Sequence, residues 1–269
     1  LGGRVVEVRL PHSLLEAIQV VEYLRGFLFG REGWSAVDGL LIISGAFGVF
    51  SRAMALELGG YRSDTIGEDM DLVVRLHHHL RRARRPYRVL FVPDPVCWTE
   101  VPADLSTLAR QRKRWQKGLL QVLWAHRSMM LNPRYGFIGL VAFPYQVIVE
   151  LLGPVVELLG WISMLVSFCL AALPLSVFVY FLALAYLVGT LISIGSVLME
   201  EITYRRYQNI ADLLRLLLLC ALEFFPYRQF LVFWRVVGML ELLFGRRTWG
   251  LQRRRGFAAL PQFQTERRR

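Results

Sequence analysis

The run Thr65-Ile66-Gly67-Glu68-Asp69-Met70-Asp71 places three carboxylates within four residues. Such neighbours repel one another, which raises the pKa of at least one and prepares a general base. The competing reading is a plain helix start: Thr65 and Glu68 have capping-box spacing, and acids are favoured in a first turn. A second cluster, Gln111-Arg112-Lys113-Arg114-Trp115, sets Gln111, Arg114 and Trp115 at i, i+3 and i+4 of a helix, hence on one face. An amide, a guanidinium fork and an indole suit a nucleotide-sugar. The arginine pairs with a diphosphate, and the indole offers a flat apolar surface to a sugar ring. The same residues also fit a basic juxtamembrane helix on anionic lipid, with Trp115 in the interface. Third, the small residues of Ser44-Gly45-Ala46-Phe47-Gly48 allow close backbone approach to a ligand, although tight packing uses them equally well. His77-His78-His79 is not a metal motif, because consecutive helical histidines point apart and zinc motifs use i, i+4 spacing. The triplet reads as a solvated helix end beside the Arg81–Arg85 cluster.

These groups need elements to hold them. Residues 14–28 read as a helix with Leu14, Leu15, Ile18, Val21 and Leu24 on one side. Residues 39–50 look like a buried strand with a glycine bend, 68–80 a helix, Tyr87–Val92 a strand ended by Pro93, and 104–130 a long helix. The expected fold for 1–134 is therefore α/β.

Beyond that point the charge pattern changes. Residues 1–134 carry 19 basic and 13 acidic residues, whereas no Lys or Arg lies between Arg134 and Arg205. Only Glu150 and Glu157 are charged between Gly136 and Leu198. That stretch has room for two membrane crossings of about 20 residues each, which we place at 143–167 and 175–198. Arg134 before the pair and Arg205-Arg206 after it put both ends in the cytoplasm. Gly153-Pro154 predicts a kink. Glu150 and Glu157 share one face and are expected to meet protein or a water-filled path, such as one for a polymer; the alternative places Glu150 among headgroups on an interfacial helix. Residues 211–225 and 227–244, broken at Pro226, are expected as a broken hairpin or interfacial helices, with a single third crossing as the alternative. Residues 246–269 form a basic tail.

With 32 Lys and Arg against 21 Asp and Glu and a hydrophobic fraction of 55%, the 269-residue chain is too apolar for an ordinary soluble domain and too charged for a purely embedded one. Its basic residues flank membrane segments instead of interleaving with aromatics on a soluble surface, so nucleic acid is not an expected partner. Cys97, Cys169 and Cys220 are odd in number and far apart, which argues against a disulfide framework.

Taken in order, ISGAFGVF from Ile43, GEDMDLVVRL (67–76), VPDPVCWTE (92–100) and QRKRW (111–115), all before membrane helices, resemble a membrane-bound family 2 glycosyltransferase. Among these the chain is most similar to the processive cellulose, hyaluronan and poly-N-acetylglucosamine synthases. YRQFLVFWR (227–235) and RRTWGLQRRRGF (246–257) look like the tail of bacterial members. The resemblance implies a cytoplasmic GT-A domain, here only its C-terminal half (1–134), on a multi-pass bacterial-type inner-membrane protein (135–245). It implies inverting transfer from a nucleotide-sugar, a UDP-sugar being the expected donor, to a growing polysaccharide. A lipid acceptor taking a single sugar is the alternative, and a non-catalytic protein binding anionic lipid is a further one. Asp69 would be the general base, supported by Glu68. Gln111 and Arg114 would hold the diphosphate, Trp115 would stack near the acceptor sugar, and Ser44, Gly45 and Ala46 would line the acceptor site. Mg2+ or Mn2+ is implied by the family, but the early Asp and the metal-holding DxD of its nucleotide-binding half are not in this chain. The metal ligands are thus expected in a missing upstream half, and this chain alone is expected to be inactive. Accessory membrane subunits are compatible with this scheme.

Overall fold

The computed structural model describes residues 10–93, 99–204, 207 and 209–245. Asp94–Trp98 of the third motif, Cys97 among them, lie outside the described residues, as do Arg205-Arg206 and the basic tail from Arg246.

The chain opens on α1 (Leu14–Tyr23), which runs through a π-helical turn (Leu24–Phe29) into α2 (Gly30–Ala36). A short α3 (Arg52–Glu57), α4 (Glu68–Arg82) and the 21-residue α5 (Leu105–Ala125) follow. Next comes a rod spanning Ile138–Cys169, in which two π-helical turns flank α6 (Phe143–Tyr145) and lead into α7 (Gly153–Cys169). Then come α8 (Leu175–Tyr204), α9 (Ile210–Leu222) and α10 (Arg228–Leu243).

The expected α/β architecture is not found: among the described residues there is no strand, and no GT-A sheet core forms. A strand exists only through a ladder partner, and nothing described here pairs with either candidate. Residues 39–50 bury Leu40 and Leu41 and then pass into an exposed turn. Tyr87–Val92 keeps a strand-like alternation, with Arg88, Leu90 and Val92 exposed and Tyr87, Val89 and Phe91 turned inward. It is held by side chains instead of a ladder: the Ser35 hydroxyl accepts from the Phe91 N–H at 2.9 Å.

The helices match their sequence signals more closely. Asp104 caps α5, accepting from the Thr107 N–H at 2.8 Å and from the Thr107 hydroxyl at 2.9 Å. Two helices, Ile138–Cys169 and Leu175–Tyr204, are long and apolar enough to cross a membrane. The first is interrupted at Leu152, where Pro154 in the next turn brings no N–H to the ladder. The α9–α10 stretch breaks where expected: Phe225 leaves the helical region (φ −145°, ψ 130°) before Pro226. The halves then part company. Helix α9 packs on α1 and α8, while α10 packs on α5 and α7.

Helix α5 bridges two apolar cores. Leu108 sits in a cluster with Val21 of α1, Val197 of α8 and Leu216 of α9. One to two turns beyond the QRKRW run, Leu119, Val122 and Leu123 pack with Met70 and Val74 of α4, Ile138, Phe143 and Met239 of α10. The segment 111–115 is therefore held rigidly from both ends.

Candidate active site

Helix α4 starts against α5 at a point where both backbones lack a side chain. A Cβ on Gly118 would lie 3.0 Å from the Gly67 Cα, and a Cβ on Gly67 would lie 3.1 Å from the Gly118 carbonyl oxygen. Gln121, one turn on, accepts from the Ile66 N–H at 2.9 Å. Gly118 is three residues beyond Trp115, so the carboxylate motif is seated on the same side of α5 as Gln111, Arg114 and Trp115. No capping box forms: the N-cap is Gly67, and the Thr65 hydroxyl accepts from the Gly67 N–H at 3.3 Å.

The three carboxylates separate in role. Asp71 is buried. Its Oδ2 accepts from Arg75 Nε at 2.7 Å, and its Oδ1 lies 3.0 Å from His126 Nε2. Burial alone would raise the Asp71 pKa, yet hydrogen bonds from His126 and Arg75 hold it below the usual carboxylate range. Mutual repulsion thus does not raise Asp71. Glu68 is half-buried and makes no side-chain hydrogen bond or ion pair among the described residues. Asp69 uses one oxygen locally, Oδ1 accepting from the Met70 N–H at 2.8 Å. Its Oδ2 faces Gly45, where an added Cβ would lie only 2.8 Å away. The Ser44-Gly45-Ala46 turn is exposed and reaches the carboxylate because position 45 has no side chain.

The first helices lay a stripe against Trp115: Tyr23, Phe27 and Arg31 recur every four residues. The ring centroids of Tyr23 and Phe27 are 4.5 Å apart, and Phe27 and Trp115 are 5.8 Å apart. The Arg31 guanidinium lies 4.2 Å above the Phe27 ring. Burial pulls Arg31 down to about 10, with the nearby Asp69 charge acting in the opposite sense. Burial likewise pushes the Tyr23 phenol up, with the Arg112 charge acting in the opposite sense. Trp115 stays partly exposed, with Arg112 above its ring at 4.4 Å.

The two residues inside the QRKRW run are held by acidic partners, Arg112 while still lying over the Trp115 and Tyr23 rings. Arg112 is buried on Glu22 (2.7 Å), which also accepts from the Tyr227 hydroxyl at 2.6 Å. Lys113 and Lys117 share Glu241 at 2.7 and 2.6 Å. Arg235 of α10 donates to Gln116 at 2.8 Å. Glu157 is gripped by both ends of Arg228 (2.7 and 2.9 Å), and Glu150 lies 3.3 Å from Arg235, so both carboxylates of the first rod face α10.

The described residues offer Mg2+ or Mn2+ no cradle. No group of three or more His, Cys, Asp or Glu is placed to hold an ion, and both Asp71 oxygens are already engaged. The histidine triplet is not the solvated end its sequence suggests. His77 is 1% exposed. Its Nε2 donates to the Leu40 carbonyl at 2.9 Å, leaving Nδ1 to accept from the Tyr87 hydroxyl at 2.5 Å. Burial pushes His77 down to about 4. His78 stacks on Tyr135, and His79 pairs with Glu57.

So the structure sets Asp69 against Gly45 and seats the start of α4 on α5 through Gly67 and Gly118, on the helix side that Gln111, Arg114 and Trp115 share by spacing. Arg31 and the Gly67–Gly118 contact were not anticipated. The first had a signal in the four-residue aromatic stripe, the second in a glycine inside a helix, which costs about 1 kcal/mol and marks close packing.

The model of glycosyl transferase family group 2 matches residues 5–245, and the chain belongs to that family. It is 31% identical over 116 residues to the poly-beta-1,6-N-acetyl-D-glucosamine synthase of Staphylococcus aureus (strain COL), covering 43% of this chain and 27% of that protein. It is 29% identical to the synthase of the same description from Staphylococcus epidermidis, over the same shares. The chain thus spans about a quarter of the length of these curated relatives in the matched region. No solved structure matches it.

Proposed function

We propose that this chain is the acceptor-side and membrane part of an inverting glycosyltransferase that extends a polysaccharide at the membrane. The observation that carries the reading is the seating of α4 on α5 at Gly67 and Gly118, which sets Asp69 beside the face bearing Gln111, Arg114 and Trp115. In the reaction Asp69 takes the proton of the acceptor hydroxyl as that oxygen bonds to the anomeric carbon of the donor sugar. The bond from that carbon to the diphosphate breaks, and the diphosphate leaves with the electron pair. Gln111 and Arg114 hold the departing charge. Trp115 offers the exposed side of its ring to a sugar, Glu68 supports the base, and the Ser44–Ala46 turn borders the acceptor. Helices Ile138–Cys169 and Leu175–Tyr204 cross the membrane, with the site on the cytoplasmic side. The relatives' product makes UDP-N-acetylglucosamine the first donor to try.

The test uses the complete enzyme in membrane vesicles. Asp69→Asn should reduce sugar transfer by about 10^2- to 10^4-fold, the range of a lost general base, while nucleotide-sugar binding is retained. Transfer at the unaltered rate would overturn the assignment. Product chain length then separates stepwise extension from single addition.

A further inference from the structure

We propose that Arg112 is a positioning residue that fixes the Trp115 ring as a sugar platform, and that Glu22 and Tyr227 fix Arg112 in turn. The inference rests on the reading of Trp115 as the surface on which a sugar stacks, and deepens it by naming what holds that surface. A guanidinium is flat, so its edge and its faces can be used at once. The edge of Arg112 donates to Glu22 of α1 at 2.7 Å. The carboxylate oxygen that takes this bond also accepts from the Tyr227 hydroxyl at 2.6 Å. Tyr227 stands at the break between α9 and α10, so three separate stretches of chain meet on one carboxylate. With its edge secured, the flat group lies over the Trp115 ring, 4.4 Å from the centroid, and over the Tyr23 ring at 5.9 Å.

Trp115 needs such a hold. Its side chain is 36% exposed, so packing restrains only part of it. Phe27 meets it at a ring separation of 5.8 Å and a tilt of 55°, which leaves the χ2 torsion of the indole soft. Arg112 stands three residues earlier, on the adjoining turn of α5, and is itself buried. The next cation in the run does not share this task, since the Lys113 ammonium lies against Trp234, 5.3 Å from its ring centroid, and ends on Glu241. A buried ion pair adds little stability over an apolar pair of the same shape. What the Glu22–Arg112 pair supplies beyond stability is a fixed plane against which the indole rests.

The experiment is a double-substitution cycle in the complete enzyme in membrane vesicles, with UDP-N-acetylglucosamine as the donor probe. Arg112→Lys keeps a charge for Glu22 and loses the flat face. It is measured alone and together with Trp115→Leu, and thermal unfolding in detergent monitors the fold. Alone, Arg112→Lys should lower turnover by about 3- to 10-fold, the size of one cation–ring contact, with the donor KM unchanged. In Trp115→Leu, already slowed, the same change should have no further effect, because a residue that acts through another loses its influence once that other is gone. Glu22→Gln, which leaves Arg112 an uncharged acceptor, should show the same dependence on Trp115, and it reads the coupling if Arg112→Lys fails to fold. An equal loss with and without Trp115, a defect confined to donor KM, or normal turnover in Arg112→Lys would each overturn the proposal. Full transfer in Trp115→Leu would instead overturn the platform reading on which it rests.

Discussion

Two regions of this molecule use the same residue types to opposite ends. At the joint between α1, α8 and the broken α9–α10 stretch, charges are spent on one another. Glu223 is fully buried, bonded to both ends of Arg25 (2.8 and 2.7 Å) and to the Ser193 hydroxyl of α8 at 2.6 Å. Glu22 joins Arg112 of α5 to Tyr227 in the same way. At the α4–α5 corner, Asp69 is bonded among the described residues only by the adjacent Met70 N–H. The difference shows how one helix serves both purposes. Within QRKRW, Arg112 and Lys113 fasten α5 to its neighbours, and the face bearing Gln111 and Trp115 meets the corner left unfastened.

This contrast breaks most visibly at Glu223. Replacing it by Ala leaves Arg25 and Ser193 without their acceptor and should cost about 3–5 kcal/mol, as for a broken buried pair. Denaturant unfolding in detergent reads this. The double change Arg25→Met with Glu223→Leu should recover most of it, because no uncompensated charge remains. Activity per folded molecule should be kept, and a selective loss of turnover would blur the distinction between the regions.

Next comes His77, which braces α4 from behind the corner. It is neutral in the fold, with its pKa moved from 6.5 to about 4. The unfolded chain binds the proton more readily across that window. Stability is therefore full above pH 6.5 and falls as pH drops toward 4, by about 3 kcal/mol at roughly 1.4 kcal/mol per pH unit. In His77→Gln the slope of unfolding free energy over this window should flatten. An unchanged slope would place the titration elsewhere.

A smaller stability effect with a larger functional one is expected at Gly118. Valine there meets the Gly67 backbone at 3.0 Å or less and must push α4 off α5. The cost should be about 1–3 kcal/mol of overpacking, accompanied by a fall in turnover of about tenfold or more as Asp69 moves off its platform. Full turnover in Gly118→Val would show that the contact does not set the geometry.

What could be foreseen from the residues alone follows the range of each signal. Helices α4 and α5, the two long apolar rods, and the break near Pro226 rest on local periodicity, on a charge-free stretch and on a missing N–H, all readable along the chain. The sheet was not. Residues 39–50 and 87–92 have strand composition, but a strand is completed by a partner, which is a non-local property. Tyr87–Val92 kept the alternation and not the ladder. Burial of His77 depended on Leu40 and Tyr87, neither next to it in sequence. Within the site, the shared face of Gln111, Arg114 and Trp115 was legible from helical spacing, whereas the separation of Asp69 from Asp71 depended on His126, 55 residues away from Asp71.

That separation offers the most direct test of the central claim, that adjacent carboxylates divide chemistry from structure. Turnover and unfolding should be measured together on Asp69→Asn and Asp71→Asn in the complete enzyme. The account predicts that Asp69→Asn loses transfer by about 10^2-fold or more with its stability intact. Asp71→Asn should lose stability, having weakened its bonds to Arg75 and His126, yet keep turnover per folded molecule. The reverse pattern, or equal loss of turnover in both with stability unchanged, would contradict it.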